Sequence, residues 1–427
     1  MITSNLWAGR TFGVYGLART GASVVAALTA SGASVATWDD GEGARAAFAG
    51  ELTDLHAADL STLDAMVVSP GVPHEAAVFV RAVVAGIPVI GDIELFAQAR
   101  AGLPRHKVVG ITGTNGKSTT AALIHHVLVS AGVPARLGGN IGAPILSEEP
   151  LPAGGVYVLE LSSFQIDLTS TLDCDVAVLL NITPDHLDRH KTMAAYAAAK
   201  ARLFAMQRPG SAAVIAVDDD YTRAIADEIG LEPGREGHLI AVTGSRVGDQ
   251  SGWPALQGPH NGQNAAAAIA TLRAIGLDDD AIGAGFASYP GLPHRMERVR
   301  DIGGVAYVND SKATNPTSAA PALAAFPRIH WIAGGQAKTD ELDACLPFLA
   351  HVRAAYLIGE AAPLFGRFLD GKVPVVQSGT LARAVADASA AAAAGDTVLL
   401  SPACASYDQF TDYAARGAAF RSLVEAL

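Results

Sequence analysis

A chain of 427 residues, half of them hydrophobic and 17% charged, has the length for roughly two to four domains and a composition that excludes a disordered chain. Its 30 basic and 42 acidic residues leave a net charge of −12, against any general attraction to nucleic acid or to an anionic membrane. Cys174, Cys345 and Cys404 have neither metal-ligand nor disulfide spacing, and the opening MITSNLWAGR lacks the apolar core of a signal peptide. No apolar run approaches the length of about 18 residues that a membrane span needs, so a cytoplasmic enzyme without membrane insertion is expected.

Thr11–Tyr15 reads as a strand, followed by the turn Gly16-Leu17-Ala18-Arg19-Thr20-Gly21, a helix over Gly21–Ser31 and a second strand over Ser34–Trp38. Asp39 then falls where an acidic residue often meets a ribose. Ala18 stands where G-x-G-x-x-G would need its second glycine, so a mononucleotide diphosphate at the helix start, helped by Arg19 and Thr20, fits better than a dinucleotide. Ala65–Val68 is a third strand, and Ser69-Pro70-Gly71 turns at its C-terminal end, the edge where open α/β sheets bind ligands. Ordinary turn chemistry accounts for that tripeptide equally well.

Val108–Thr120, VVGITGTNGKSTT, is the strongest signal. A β-branched run ends in Gly113-Thr114-Asn115-Gly116, then Lys117, Ser118, Thr119 and a helical stretch over Ala121–Ala131. Strand, glycine turn and helix in that order place backbone N–H groups and a positive helix dipole around a triphosphate. Lys117 is expected on the β- and γ-phosphates and the Ser118 hydroxyl on Mg²⁺. The strict P-loop has a glycine where this chain has Ile111, so this is a shortened variant.

Gly138-Gly139-Asn140-Ile141-Gly142 reads as a tight exposed turn. Val156–Leu161 is a strand delivering Glu160 near its end, which requires either a metal or a basic neighbour if it is buried. Asp175–Asn181 opens into the polar loop Ile182–His190, which carries His186; a merely solvated loop is the bland alternative. In the helix Thr192–Met206, Lys200 is either a surface lysine or one whose charge is lost in low dielectric, and the residues alone leave both open. Ala212–Val217 and Leu239–Val242 are strands, and His260-Asn261-Gly262-Gln263-Asn264 is expected to cap a helix over Ala265–Ile275.

A new series begins after Gly291-Leu292-Pro293-His294-Arg295. Val305–Asn309, Ile329–Ala333, Ala354–Ile358 and Val398–Ser401 each open into a polar or small-residue turn, which predicts a parallel sheet with one functional edge. Ala384–Ala394 is helix.

Taken together, GTNGKST, GGNIG, LELSSFQ, NITPDHLDRH, HNGQN, GLPHRME, NDSKATN and LLSPACASYDQF, in that order, resemble the Mur ligase family of peptidoglycan synthesis over nearly the whole chain. The resemblance implies an α/β protein of three domains: a Rossmann-like UDP-substrate domain (1–96), a central P-loop ATPase-like parallel sheet with flanking helices (97–291) and a Rossmann-like amino-acid-binding domain (292–427). It implies a monomer that uses ATP and Mg²⁺ at two sites to join D-glutamate to UDP-N-acetylmuramoyl-L-alanine through an acyl phosphate. Related ligases that add L-glutamate, or extend folate with it, are the alternatives.

Residue by residue, the resemblance implies that Gly113 through Thr119 hold ATP, with Asn264 beside the adenine and Arg295, Asp310 and Lys312 closing over it. Ser118, Glu160, His186 and Lys200 serve the metals, Lys200 as a CO₂-derived carbamate, and Lys117, Glu160, His186 and Lys200 are catalytic. Leu17, Arg19, Thr20, Asp39, Ser69, Gly71 and Asn140 hold the UDP-substrate, and Thr314, Lys338, Ser406 and Tyr413 hold D-glutamate. The sequence departs from the family at Tyr413, where Phe is usual, and at Asp40-Gly41, where Thr-Arg is expected.

Overall fold

The structure is a computed structural model that describes residues 1–231 and 237–427. Among the described residues, strands β1 (Thr11–Tyr15), β2 (Ser34–Trp38), β3 (Ala65–Val68) and β4 (Val89–Ile90) form a parallel sheet in the order β2-β1-β3-β4. A second parallel sheet runs β10-β9-β8-β5-β7-β6, from β5 (His106–Thr112), β6 (Ala135–Gly139), β7 (Gly155–Glu160), β8 (Val176–Leu179), β9 (Ala212–Ala216) and β10 (Leu239–Val242). The third, ordered β11-β12-β16-β13-β14-β15, comprises β11 (Glu297–Ile302), β12 (Val305–Asn309), β13 (Ile329–Gly334), β14 (Val352–Ile358), β15 (Val375–Gly379) and β16 (Thr397–Leu400). The architecture is the expected α/β one, with β11 an antiparallel edge strand on the third, otherwise parallel sheet.

Residues 1–246 with 263–286 form one compact unit, and 247–262 with 287–427 a second. In the first, the two sheets share a continuous core, from Phe12 and Val14 through Phe96 to Tyr157 and Leu179. Strands β7, β8, β13 and β16 are buried at every position, as parallel strands covered on both faces must be, which is why they read as mostly apolar runs, with Glu160, His330 and Thr397 their buried polar members.

Several expected boundaries move for local reasons. The P-loop helix is Lys117–Ser130, beginning directly at Lys117 rather than at Ala121, because Gly116 takes a left-handed φ of 82° that turns the chain straight into it. The next helix with an expected cap starts at Pro259, so the asparagines of HNGQN lie in its first turns rather than ahead of it. The alanine-rich helix is Leu381–Ala391, started by the Thr380 side chain, which accepts from the Arg383 N–H. β6 and β11, rich in residues of low strand propensity, were not expected from the sequence. Among the described residues no helix is long and apolar enough to cross a membrane.

Candidate active site

The P-loop is wired by its neighbours. Asn181, just past β8, takes the Thr114 N–H on its carbonyl and the Asn115 N–H on Oδ1, each at 2.8 Å. Its Nδ2 donates to Gln263 at 2.7 Å, and a Cβ on Gly116 would collide with Oδ1 of Asn264, so only glycine lets that helix approach the loop. Lys117 Nζ donates to the Gly113 and Thr114 carbonyls at 3.0 and 2.8 Å, and Lys200 Nζ donates to the same Gly113 carbonyl at 2.9 Å. Ser118 and Thr119 occupy the first turn of a helix that carries no side-chain cap. A helix N-terminus of that kind presents N–H groups and its positive dipole end to an anion.

Lys200 is 1% exposed, so the surface-lysine alternative falls away. Desolvation, then the charge of Lys117, lowers its pKa to about 7. The ring of Tyr196 lies 4.5 Å from its ammonium, and the Tyr196 hydroxyl sits 3.2 Å from Thr114 Oγ1. Sequence reasoning gave no role to Tyr196 or Asn181; a polar residue closing an apolar strand, as Asn181 does, was the available signal.

Glu160 ends β7 and is 2% exposed. Oε1 accepts from Asn140 Nδ2 at 2.9 Å, while the buried Oε2 has no hydrogen-bond partner. An orphaned carboxylate oxygen is costly, and its chemistry fits a hard cation such as Mg²⁺. Asn140, expected on the UDP-substrate, is thus joined to Glu160. His186 adopts a left-handed φ of 51°, with its ring 4.9 Å from Phe164 and 6.3 Å from the same Tyr196 that lines Lys200. Among the described residues, no three His, Cys, Asp or Glu side chains are grouped to hold a metal ion, so any metal here needs oxygens from elsewhere.

Just past β2, Asp39 turns inward on the backbone: Oδ2 accepts the Leu17 N–H at 2.6 Å and Oδ1 the Gly41 N–H at 2.8 Å. Ser69 Oγ donates to the Gly16 carbonyl at 3.2 Å, and Arg19 to the Gly142 carbonyl at 3.2 Å. Thr20 follows Arg19 at the start of the helix Arg19–Ala30, which also lacks a side-chain cap, and Gly71 is exposed. Leu17, Arg19, Thr20, Asp39 and Ser69 are therefore gathered about one turn. Asp40 is engaged by Tyr15, Trp38 and His56, and the first two of its larger contacts, Tyr15 and His56, hold its carboxyl below the usual range.

The second unit holds the remaining candidates. Lys338 Nζ donates to Thr314 Oγ1 at 3.3 Å, and Lys312 Nζ lies 3.8 Å from the ring centre of Tyr413. Ser406 is 3% exposed. Asp310 is buried, accepting from Ser401 Oγ at 2.8 Å and the Met296 N–H at 3.2 Å; desolvation raises its pKa to about 7, opposed in part by Ser401, that N–H and Arg295. The residue that organises this group was not foreseen. Arg416, 1% exposed, donates to Ser311 Oγ and O and to the Cys404 and Ala405 carbonyls at 2.9–3.2 Å, tying NDSKATN to SPACAS. Burial lowers its pKa to about 10.

Family models match the chain twice: Mur ligase middle domain over residues 111–238, and Mur ligase, glutamate ligase domain over 294–404. A UDP-N-acetylmuramoylalanine--D-glutamate ligase of Novosphingobium aromaticivorans is 57% identical over 432 residues, covering 100% of this chain and 97% of the relative. The chain belongs to the Mur ligase family. Its Mur relatives of the same printed name include one from Sphingopyxis alaskensis, 57% identical with both chains covered in full, and one from Caulobacter vibrioides, 49% identical over 98% of this chain and 96% of that one. The fold is shared with the UDP-N-acetylmuramate-alanine ligase of Thermotoga maritima, at a TM-score of 0.60 and 16% identity over 98% and 99% of the two chains. It is also shared with a bifunctional folylpolyglutamate synthase/dihydrofolate synthase of Yersinia pestis, at a TM-score of 0.54 and 18% identity over 78% and 93%. As a Mur ligase, this chain is an ATP-dependent ligase of the three-domain fold.

Proposed function

We propose that this ligase joins the amine of D-glutamate to the carboxyl of UDP-N-acetylmuramoyl-L-alanine, in peptidoglycan precursor synthesis, as a cytoplasmic monomer. The observation that carries the reading is the convergence of Lys117 and Lys200 on the Gly113 carbonyl, beside an uncapped helix N-terminus. Lys117 sets positive charge beside the N–H groups of that helix, and the Lys200 amine is drawn to the same carbonyl, an arrangement suited to a triphosphate and its metal.

In this reading residues 1–96 bind the UDP-substrate, 97–291 bind ATP and 292–427 bind the amino acid. The uncapped helix at Thr20 and the Arg19 guanidinium receive the diphosphate, with Leu17, Asp39, Ser69 and Gly71 shaping its turn and Asn140 reaching the same ligand. Gly113 through Thr119 cradle the ATP phosphates, and Asn264 lies at the adenine side. Ser118, Glu160, His186 and a carbamylated Lys200 would hold two Mg²⁺, which supply charge neutralisation at the phosphates. The carbamate forms when the neutral Lys200 amine adds to CO₂ and releases a proton. A pKa of about 7 keeps much of that amine unprotonated at neutral pH.

Lys117 compensates the charge on the γ-phosphate while the substrate carboxylate attacks it, giving the acyl phosphate and ADP. The D-glutamate amine then attacks the acyl carbon, phosphate leaves, and the amide remains. Lys338 pairs with the side-chain carboxylate of glutamate, flanked by Thr314, Ser406 and Tyr413; Arg295, Asp310 and Lys312 serve ATP from the third domain. The test is phosphate release from ATP with and without each substrate. Release that needs both the UDP-substrate and D-glutamate supports the reading; release that needs neither defeats it.

A further inference from the structure

Arg189 does something the catalytic scheme leaves unused. It lies in the short helix Leu187–His190, three residues beyond His186, and its Nη1 donates to the carbonyls of Pro70 and Val72 at 3.1 and 3.0 Å. Those carbonyls belong to the turn closed by the Val72 N–H on the Ser69 carbonyl, and Ser69 in turn reaches Gly16. The guanidinium carbon stands 4.1 Å from the ring centre of Phe164, whose ring also meets His186. Nε and Nη2 are buried without a hydrogen-bond partner.

Leaving two donors of a cation unmet is unfavourable, and a surface position would have supplied water to both. The side chain is retained in this pose by two carbonyls within one turn, both met by Nη1, and by the aromatic face on which the planar guanidinium lies, a stacking that the compact ammonium of lysine does not reproduce. An ion pair on the same seam, Lys191 with Glu75 at 3.6 Å, has both side chains about two-thirds exposed and adds little.

We propose that Arg189 is a positioning residue that locks the Ser69–Val72 turn to Phe164 and the His186 loop, so that the seat of the UDP-substrate diphosphate and the reacting end of the substrate keep one register. The proposal rests on the assignment of Ser69 and Gly71 to the UDP-substrate. The experiment compares KM for UDP-N-acetylmuramoyl-L-alanine and for ATP in Arg189→Lys, Arg189→Ala and Lys191→Ala, with thermal unfolding to establish that each variant is folded. Both Arg189 variants are expected to raise KM for the nucleotide substrate about ten- to a hundredfold, with KM for ATP within about twofold and Lys191→Ala like the wild type. An unchanged KM for that substrate, wild-type constants in Arg189→Lys, or an equal rise in both KM values overturns the proposal. Loss of turnover in the wild-type enzyme itself defeats the substrate assignment instead, so the two failures are told apart.

Discussion

Around Gly113 and around Thr314 the protein handles positive charge in opposite ways. At Gly113 the proposed cations are drawn in from the surface: Lys200 is buried and shares a carbonyl with half-buried Lys117, while Glu160 nearby on β7 keeps an unpartnered oxygen. At Thr314 the duties are divided. Arg416, fully enclosed, holds the loops with four hydrogen bonds, and Lys338 stays exposed at the surface they make. Under the proposed function, a metal nucleotide relieves the electrostatic mismatch of the first arrangement, and in the second a lysine meets a carboxylate on a scaffold that does not depend on it.

Breaking the mismatch gives the largest effects. Lys117→Ala is expected to lower kcat about a hundred- to a thousandfold with an unchanged unfolding midpoint, the scale for removing one preorganised donor. Lys200→Met should cost about a hundredfold in activity yet stabilise the fold. Because burial lowers the Lys200 pKa from 10.5 to about 7, the unfolded chain holds more protons between those values. The penalty is full below pH 7 and fades as pH rises toward 10.5, so the advantage of Lys200→Met in chemical unfolding should shrink over that window. A constant difference would show that Lys200 is not desolvated. Glu160→Gln should raise the Mg²⁺ concentration needed for half-maximal activity about tenfold or more.

The divided site should respond more locally. Lys338→Ala is expected to raise KM for D-glutamate about tenfold, at the lower end for a charge-assisted contact because the lysine is exposed, with KM for ATP unchanged. Asp310 reverses the sign seen at Lys200. Its pKa is raised from 3.8 to about 7, so its stabilising contribution is complete below pH 3.8 and lost as pH rises through 7. Asp310→Asn should therefore gain stability over the wild type as pH climbs across that range in denaturant titrations. The smallest effect is expected from Tyr413→Phe, which keeps the ring beneath Lys312 and should alter KM for D-glutamate by less than about twofold.

The two regions also differed in how far they could be read in advance. GTNGKST declares itself because strand, glycine turn and lysine are contiguous, and β5 with its helix follows directly. Local pattern left Lys200 open, because three alanines before it are compatible with either helix face; the family resemblance gave it a role, and its burial removes the surface alternative. Arg416 was invisible: it lies more than a hundred residues from Ser311, and nothing in a helix reading AARG announces that the guanidinium threads inward. Contacts of that separation are set by how the strands pair, and local pattern carries no record of them. Asp39 shows the converse: its place after β2 was legible, while its grip on the backbone of Leu17 and Gly41 was not.

The most direct test is the mass of the product formed from UDP-N-acetylmuramoyl-L-alanine, ATP and Mg²⁺ with each enantiomer of glutamate offered separately. One glutamyl unit is expected to be added, with ADP and phosphate released, in the D-glutamate reaction alone. Addition of L-glutamate in preference, or no adduct with either, would contradict it.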